Sequence, residues 1–151
     1  MGGAEWVMVG AGLALLMVSG AWHLGGILLI KRLKPDSKSH PHLAVLITFW
    51  GLVLLHFTEI ALAAIGYALA LSVPGAGTIS EGYGDSAGSL LYFSGITFTT
   101  LGFTQQTTAG PIRLLAMLQA LGGFMLITWS ATFVYSIWDE RFRQTDERDA
   151  D

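Results

Sequence analysis

Three long stretches of this chain carry almost no charge, and they limit what it can fold into. Residues 6–30 hold no Asp, Glu, Lys or Arg, residues 43–73 hold only Glu59, and residues 114–138 hold none. A helix needs about 20 mainly apolar residues, each rising 1.5 Å, to cross a bilayer core. Each stretch exceeds that length. Charged residues make up 13% of the chain, against about 25% in an average soluble domain. The deficit falls in these stretches, so most of the protein is expected to face lipid. The 151 residues leave room for one domain.

The basic residues supply an orientation. Lys31, Arg32, Lys34 and Lys38 lie between spans one and two, Arg141, Arg143 and Arg148 lie beyond span three, and only Arg113 lies elsewhere. Short loops rich in Lys and Arg stay in the cytoplasm. Three spans put both clusters on one side, so count and charge agree. The expected arrangement has the N-terminus outside, residues 31–42 inside, 74–113 outside and 139–151 inside, in a cell membrane of the bacterial inner-membrane type. The N-terminus lacks the basic segment of a signal peptide, and its apolar run is too long for one, so it reads as a retained span. Pro41 suits the first turn of span two, and Pro74 follows its end. Trp6 and Trp138 sit at span ends, where interfacial aromatics collect. The tail, with six acids and three bases in 13 residues, reads as a solvated, frayed end. The chain has no cysteine, which excludes disulfides, thiolate metal sites and thiol nucleophiles. A net charge of -3 gives no argument for nucleic acid.

Residues 74–113 carry the functional information. After a loop rich in Gly and Ser comes Ser89-Leu90-Leu91-Tyr92-Phe93-Ser94-Gly95-Ile96-Thr97-Phe98-Thr99, which is apolar yet too short to span, since 11 helical residues reach about 16 Å. No charged face suits it to lie on the membrane surface. The alternative is a half-helix that dips in, followed by an extended strand, Thr100-Leu101-Gly102-Phe103-Thr104-Gln105, that climbs out. Non-helical backbone is tolerated at that depth where protein buries it or water lines it. A half-helix aims its partially negative C-terminal end inward, which favours a cation.

Leu91-Tyr92-Phe93-Ser94 followed by Thr97-x-Thr99-Thr100-Leu101-Gly102-Phe103 resembles the pore helix and selectivity filter of the potassium-channel superfamily. Pro111-Ile112-Arg113-Leu114-Leu115 and a Gly-bearing third span resemble its inner helix. More loosely, His56-x-x-Glu59-Ile60 with Tyr67 resembles the outer helix of small bacterial members with two spans and a pore loop. The resemblance implies an all-α membrane protein with three transmembrane helices, a re-entrant pore helix and an extended filter strand. It implies a homotetramer, because each chain supplies one filter strand and four enclose the axis. It implies passive conduction of monovalent cations, no enzymatic activity, and no cofactor beyond K+ or Na+ at the filter. The divisions are residues 1–42 (N-terminal span and basic loop), 43–138 (pore domain) and 139–151 (tail). By position, Thr100 offers a hydroxyl and carbonyl at the inner ion site, and the carbonyls of Leu101, Gly102 and Phe103 line the path above, ending at Thr104.

Four residues depart from the family. Its usual filter reads Thr-Val-Gly-Tyr-Gly-Asp; here Leu101 replaces the valine, a mild change, Phe103 replaces the tyrosine and loses a hydroxyl that helps tether the strand, Thr104 replaces the second glycine and Gln105 the aspartate. A β-branched residue is a poor host for positive φ, and such strain costs on the order of 1–3 kcal/mol. A reshaped outer filter is expected, as in the non-selective cyclic-nucleotide-gated channels, which have Thr there. No acid lies between Gly88 and Trp138, so no carboxylate ring selects divalent ions. Potassium is favoured, with relaxed selectivity in view. The alternatives are a non-selective cation channel and a non-conducting subunit that keeps the scaffold. Gly82-Tyr83-Gly84-Asp85 spells the missing ending, but it precedes the half-helix and reads as a decoy.

Gating candidates are Gly122 and Gly123, read as a hinge or as close helix packing, and His56 with Glu59. Glu59 is the only acid within a span, and ionisable groups there are expensive and usually paired. The pair reads as a proton-sensitive latch or as a satisfied structural hydrogen bond. Thr128 and Ser130 are candidates for the cavity wall. His23 reads as a packed polar residue. His40 and His42 flank Pro41, where a metal site is a second reading. An enzyme built on His56 and Glu59 lacks a nucleophile and a third partner. No span has the repeated Arg of a voltage sensor, and the tail is short for a ligand-binding domain, leaving filter, lipid or pH control.

Overall fold

In the computed structural model, residues 2–35, 40–79, 86–102 and 106–149 are described, with side chains to Asp139 apart from Pro41. Four helices and a two-strand ladder follow in the order α1 (Gly3–Leu33), α2 (Pro41–Leu71), β1 (Thr78–Ile79), α3 (Ala87–Phe98), β2 (Thr108–Ala109) and α4 (Ile112–Asp149). Helices α1, α2 and α4 are long and apolar enough to cross a membrane, and α3 is the short apolar helix between them. The expected all-α architecture of three spans and an intervening half-helix is therefore present.

Local chemistry sets the ends. Glu5 turns back to accept from the Gly2 N–H at 2.7 Å. Pro41 occupies the first turn of α2, where its missing N–H costs nothing. The Ser86 hydroxyl accepts from the Ser89 N–H at 3.2 Å and starts α3 two residues earlier than its apolar run suggests. The tail differs from expectation: α4 continues to Asp149. After Gly123 the sequence has neither Gly nor Pro, and its Glu, Arg and Gln residues are good helix formers.

The three spans form a bundle in which α1 touches both others. It runs antiparallel to α2, pairing His23 with Glu59 and seating Leu55 on Gly26, and parallel to α4, seating Leu118 on Gly12 and itself placing Leu16 on Gly122. Small residues let these backbones approach, which substitutes for a hydrophobic driving force between helices in lipid. One core cluster holds Met8, Tyr67, Phe93, Ile112 and Leu115, and the other holds Ile27, Ile30, Leu52, Leu55, Phe133 and Ile137. Lys31 lies over the Phe133 ring, 5.3 Å from its centroid. The basic end of α1 and the far part of α4 therefore share one end of the bundle.

Helix α3 wedges between α2 and α4. Near its start, Leu90 and Phe93 join the Tyr67 cluster, and at its end Phe98 reaches His56 and Gly123. These are mid-helix positions, so α3 descends from one end of the bundle to its middle. The ladder closes the loops above it, pairing Thr78 with Ala109 and Ile79 with Thr108. Gly77, at φ 103°, is needed there, because a Cβ would run into the Ala109 carbonyl.

Gly123 faces the Phe98 backbone at the foot of α3, which cannot yield, whereas Gly122 meets only the flexible end of Leu16. Gly123→Ala should lower unfolding free energy in mixed micelles by about 1–3 kcal/mol, and Gly122→Ala by under about 1 kcal/mol. Equal effects would contradict this packing.

Candidate functional site

The foot of α3 delivers the chain to the candidate filter. The Thr99 hydroxyl donates back to the Gly95 carbonyl at 2.9 Å, and the Thr100 N–H donates to the Thr97 carbonyl at 3.1 Å. The helix then stops, because Thr100 takes φ 56°. A β-branched residue with positive φ is a genuine outlier. It is the only non-glycine residue with positive φ among those described. The sequence placed such strain at Thr104; within the described residues it falls at Thr100. Gly102 also has positive φ, 61°, while Leu101 between them does not. A pleated strand sends successive side chains and carbonyls to opposite sides. Alternating signs of φ depart from that pattern. Thr100, Leu101 and Gly102 are all exposed, Leu101 at 70%. Phe103 and Thr104, with Gln105 and the 82–85 segment, lie outside the described residues.

A polar network holds the wedge. The Tyr67 hydroxyl donates to Gln119 Oε1 at 2.6 Å. Gln119 Nε2 donates to the Ser94 carbonyl at 3.1 Å and to its hydroxyl at 2.8 Å, and that hydroxyl donates to the Ile60 carbonyl at 2.8 Å. Outer helix, half-helix and inner helix are thus joined by one chain of buried bonds. Nothing in the residue pattern singled out Gln119. Its signal was present all the same, as the only amide within an otherwise apolar span. Beyond the candidate filter, Gln106 donates to the Ser89 hydroxyl at 2.6 Å and ties the outgoing chain to the first turn of α3.

A second polar cluster lies deeper. Glu59, fully buried, receives His23 Nδ1 on one carboxylate oxygen and His56 Nδ1 on the other, each at 2.8 Å. With Glu59 ionised the carboxylate only accepts, and both Nδ1 atoms then donate. His56 and Glu59 are paired as their i, i+3 spacing suggests. The third partner, His23, comes from α1 and was read as simple packing. Ser130 is not on an open cavity wall. It is buried, with its hydroxyl 3.4 Å from His23 Nε2. Thr128 donates back to the Phe124 carbonyl at 2.8 Å. The His56 ring stands 5.5 Å from that of Phe98, so the cluster abuts the foot of α3. Gly122 and Gly123 are buried in helix contacts, and α4 passes them without a break. His40, at the start of α2, and His42 are exposed and far along the helix from this cluster.

Three spans, a half-helix ending at mid-bundle and a bent, exposed segment after it define a membrane protein of the pore-loop class. Residues 43–138 match the family model described as an ion channel, and the chain belongs to that family. Comparison with curated proteins and with solved structures returns no match. The matched residues run from the start of α2 through α3 and the filter segment to α4, leaving α1 outside. The protein therefore resides in a lipid bilayer, passes ions passively and is not an enzyme.

Gln119→Leu removes the centre of the first network and takes away the acceptor of the Tyr67 hydroxyl. Unfolding free energy in mixed micelles should fall by about 1–3 kcal/mol. A value indistinguishable from wild type would show that the network does not hold the wedge.

Proposed function

We propose that four copies of this chain surround an axis and conduct monovalent cations, with potassium favoured and discrimination against sodium weakened at the outer filter. The observation that carries this reading is the junction at Phe98 to Gly102. Here a half-helix ends at mid-bundle and hands over to backbone of alternating φ sign. The helix end is partially negative, and backbone carbonyls replace water around a dehydrated cation. Each chain offers one such segment, with Thr100 to Gly102 exposed, so a closed path needs several copies. One face of α4, including Leu121, Phe124, Met125 and Thr128, is exposed in the single chain and suits the inner wall or a neighbouring subunit. Thr100 supplies the inner site in this reading, and Leu101, Gly102, Phe103 and Thr104 complete the path. Packing at Gly122 and Gly123 favours a rigid inner helix at that level over a bend.

The orientation proposed has the N-terminus outside and the tail in the cytoplasm, in a bacterial-type inner membrane. Support comes from Lys31 and the far part of α4 sharing one end of the bundle, which brings both basic clusters together.

The test is the reversal potential of purified protein in planar bilayers, with potassium on one side and sodium at equal concentration on the other. The expected value lies between zero and that of a strictly potassium-selective pore. Thr104→Gly should move it further toward the selective limit, since a β-branched residue is a poor host for the positive φ that the family's second glycine would supply. A wild-type value of zero rejects potassium preference. No current in any salt favours the non-conducting subunit. An unchanged potential in Thr104→Gly rejects Thr104 as the cause.

A further inference from the structure

We infer that His23, His56 and Glu59 form a binding site for a first-row transition divalent cation, Zn2+ foremost, inside each chain. Two imidazoles and one carboxylate are a recurrent three-ligand set for such ions, with a fourth position left to water. Mixed nitrogen and oxygen donors suit Zn2+, Co2+ or Ni2+, whereas Mg2+ and Ca2+ take oxygen ligands. The site lies outside the filter and owes nothing to monovalent conduction.

Geometry carries the inference. The ligand atoms of the three residues all lie within 4.8 Å of one another, and each imidazole Nδ1 is already 2.8 Å from a carboxylate oxygen. Around an ion with bonds of about 2.0–2.2 Å, ligand atoms stand no more than about 4.4 Å apart. Small side-chain rotations therefore close the set. When the ion takes each Nδ1, the neutral imidazole changes tautomer, giving up the proton on Nδ1 and taking one on Nε2, so no net proton is lost. The His23 Nε2–H then faces Ser130 Oγ, 3.4 Å away, which changes from donor to acceptor. Such an outer hydrogen bond fixes ring tautomer and orientation at metal sites.

The surroundings fit an ion better than a plain structural pair. His23 stacks on His56 with ring centroids 5.5 Å apart, and the Trp129 ring stands 5.2 Å from His23, so ring contacts help hold the imidazoles in place. A cavity of about 10 Å³ borders Glu59, lined also by Ser19, Phe98, Gln119 and Gly123 but by neither histidine. That is room for about one water molecule beside the carboxylate. The His56 side chain is 20% exposed in the single chain, while the other two are fully buried. Bound there, the ion joins α1 to α2 directly, α4 through Ser130, and the foot of α3 through the His56–Phe98 contact. The N-terminal span, which the family match leaves out, is thereby locked to the pore domain.

The full chain in detergent, stripped with chelator and dialysed, is titrated with Co2+. Visible absorption and equilibrium dialysis are read together, followed by displacement with Zn2+. The expected result is one Co2+ per chain with a four- or five-coordinate spectrum, displaced by Zn2+. His23→Gln and Glu59→Gln should weaken binding on the order of 100-fold, and Ser130→Ala, which keeps all three ligands and guards against misfolding of the others, by about tenfold. His40→Asn with His42→Asn should leave it unchanged. The inference is overturned by no saturable binding, by binding that survives in His23→Gln, or by binding that disappears with His40 and His42. No arm depends on flux, so failure of the conduction reading is separately visible.

Discussion

A backbone that leaves its helix in the middle of a bilayer must be sheltered by protein, because each unsatisfied peptide group there costs several kcal/mol. The rest of this structure follows from meeting that demand at Thr100. Helix α3 reaches mid-bundle only because α2 and α4 stand on either side of it. It is held at that depth by Ser94 bonded to both, through the Ile60 carbonyl and Gln119. Gly123 lets its last turn press against α4 without a side chain between them. The strained φ of Thr100 persists because these contacts over-determine its position.

The same demand explains which parts of the fold were legible in the sequence. Spans declare themselves by the absence of charge, and the half-helix by being apolar yet too short. Both signals are local and arise from lipid acting as solvent. Pro41 marked a helix start for a similarly local reason. The extent of α4 is not legible from charge. Charge ends the apolar span, but Asp, Glu, Arg and Gln do not end a helix, and no breaker follows Gly123.

The candidate sites were legible only in part, and the missing part is non-local. Spacing on one helix paired His56 with Glu59, but no pattern within α1 announces that His23 reaches the same carboxylate from 36 residues away. Ser130 is separated from His23 by 107 residues. Its meaning depends on the parallel packing of α1 and α4, which no single-sequence periodicity encodes. Gly122 and Gly123 show the complementary difficulty. A glycine pair mid-helix reads equally as a bend or a contact until the neighbour is known, and here the neighbours are Leu16 and Phe98. At the filter, resemblance supplied an order of residues, whereas the torsion at Thr100 came from how α3 ends.

The parallel seating of α1 on α4 bears on how the protein is made. During synthesis α1 and α2 enter the membrane first and form an antiparallel hairpin that already contains His23, His56 and Glu59. The most costly group in any span is thus neutralised by partners before α4 exists. Helix α4 arrives last, and its side of α1, with Gly12 awaiting Leu118 and Leu16 awaiting Gly122, has until then faced lipid. Maturation of the chain therefore has a built-in sequence: a self-sufficient hairpin inserts, and the half-helix and final span dock onto it as a pair.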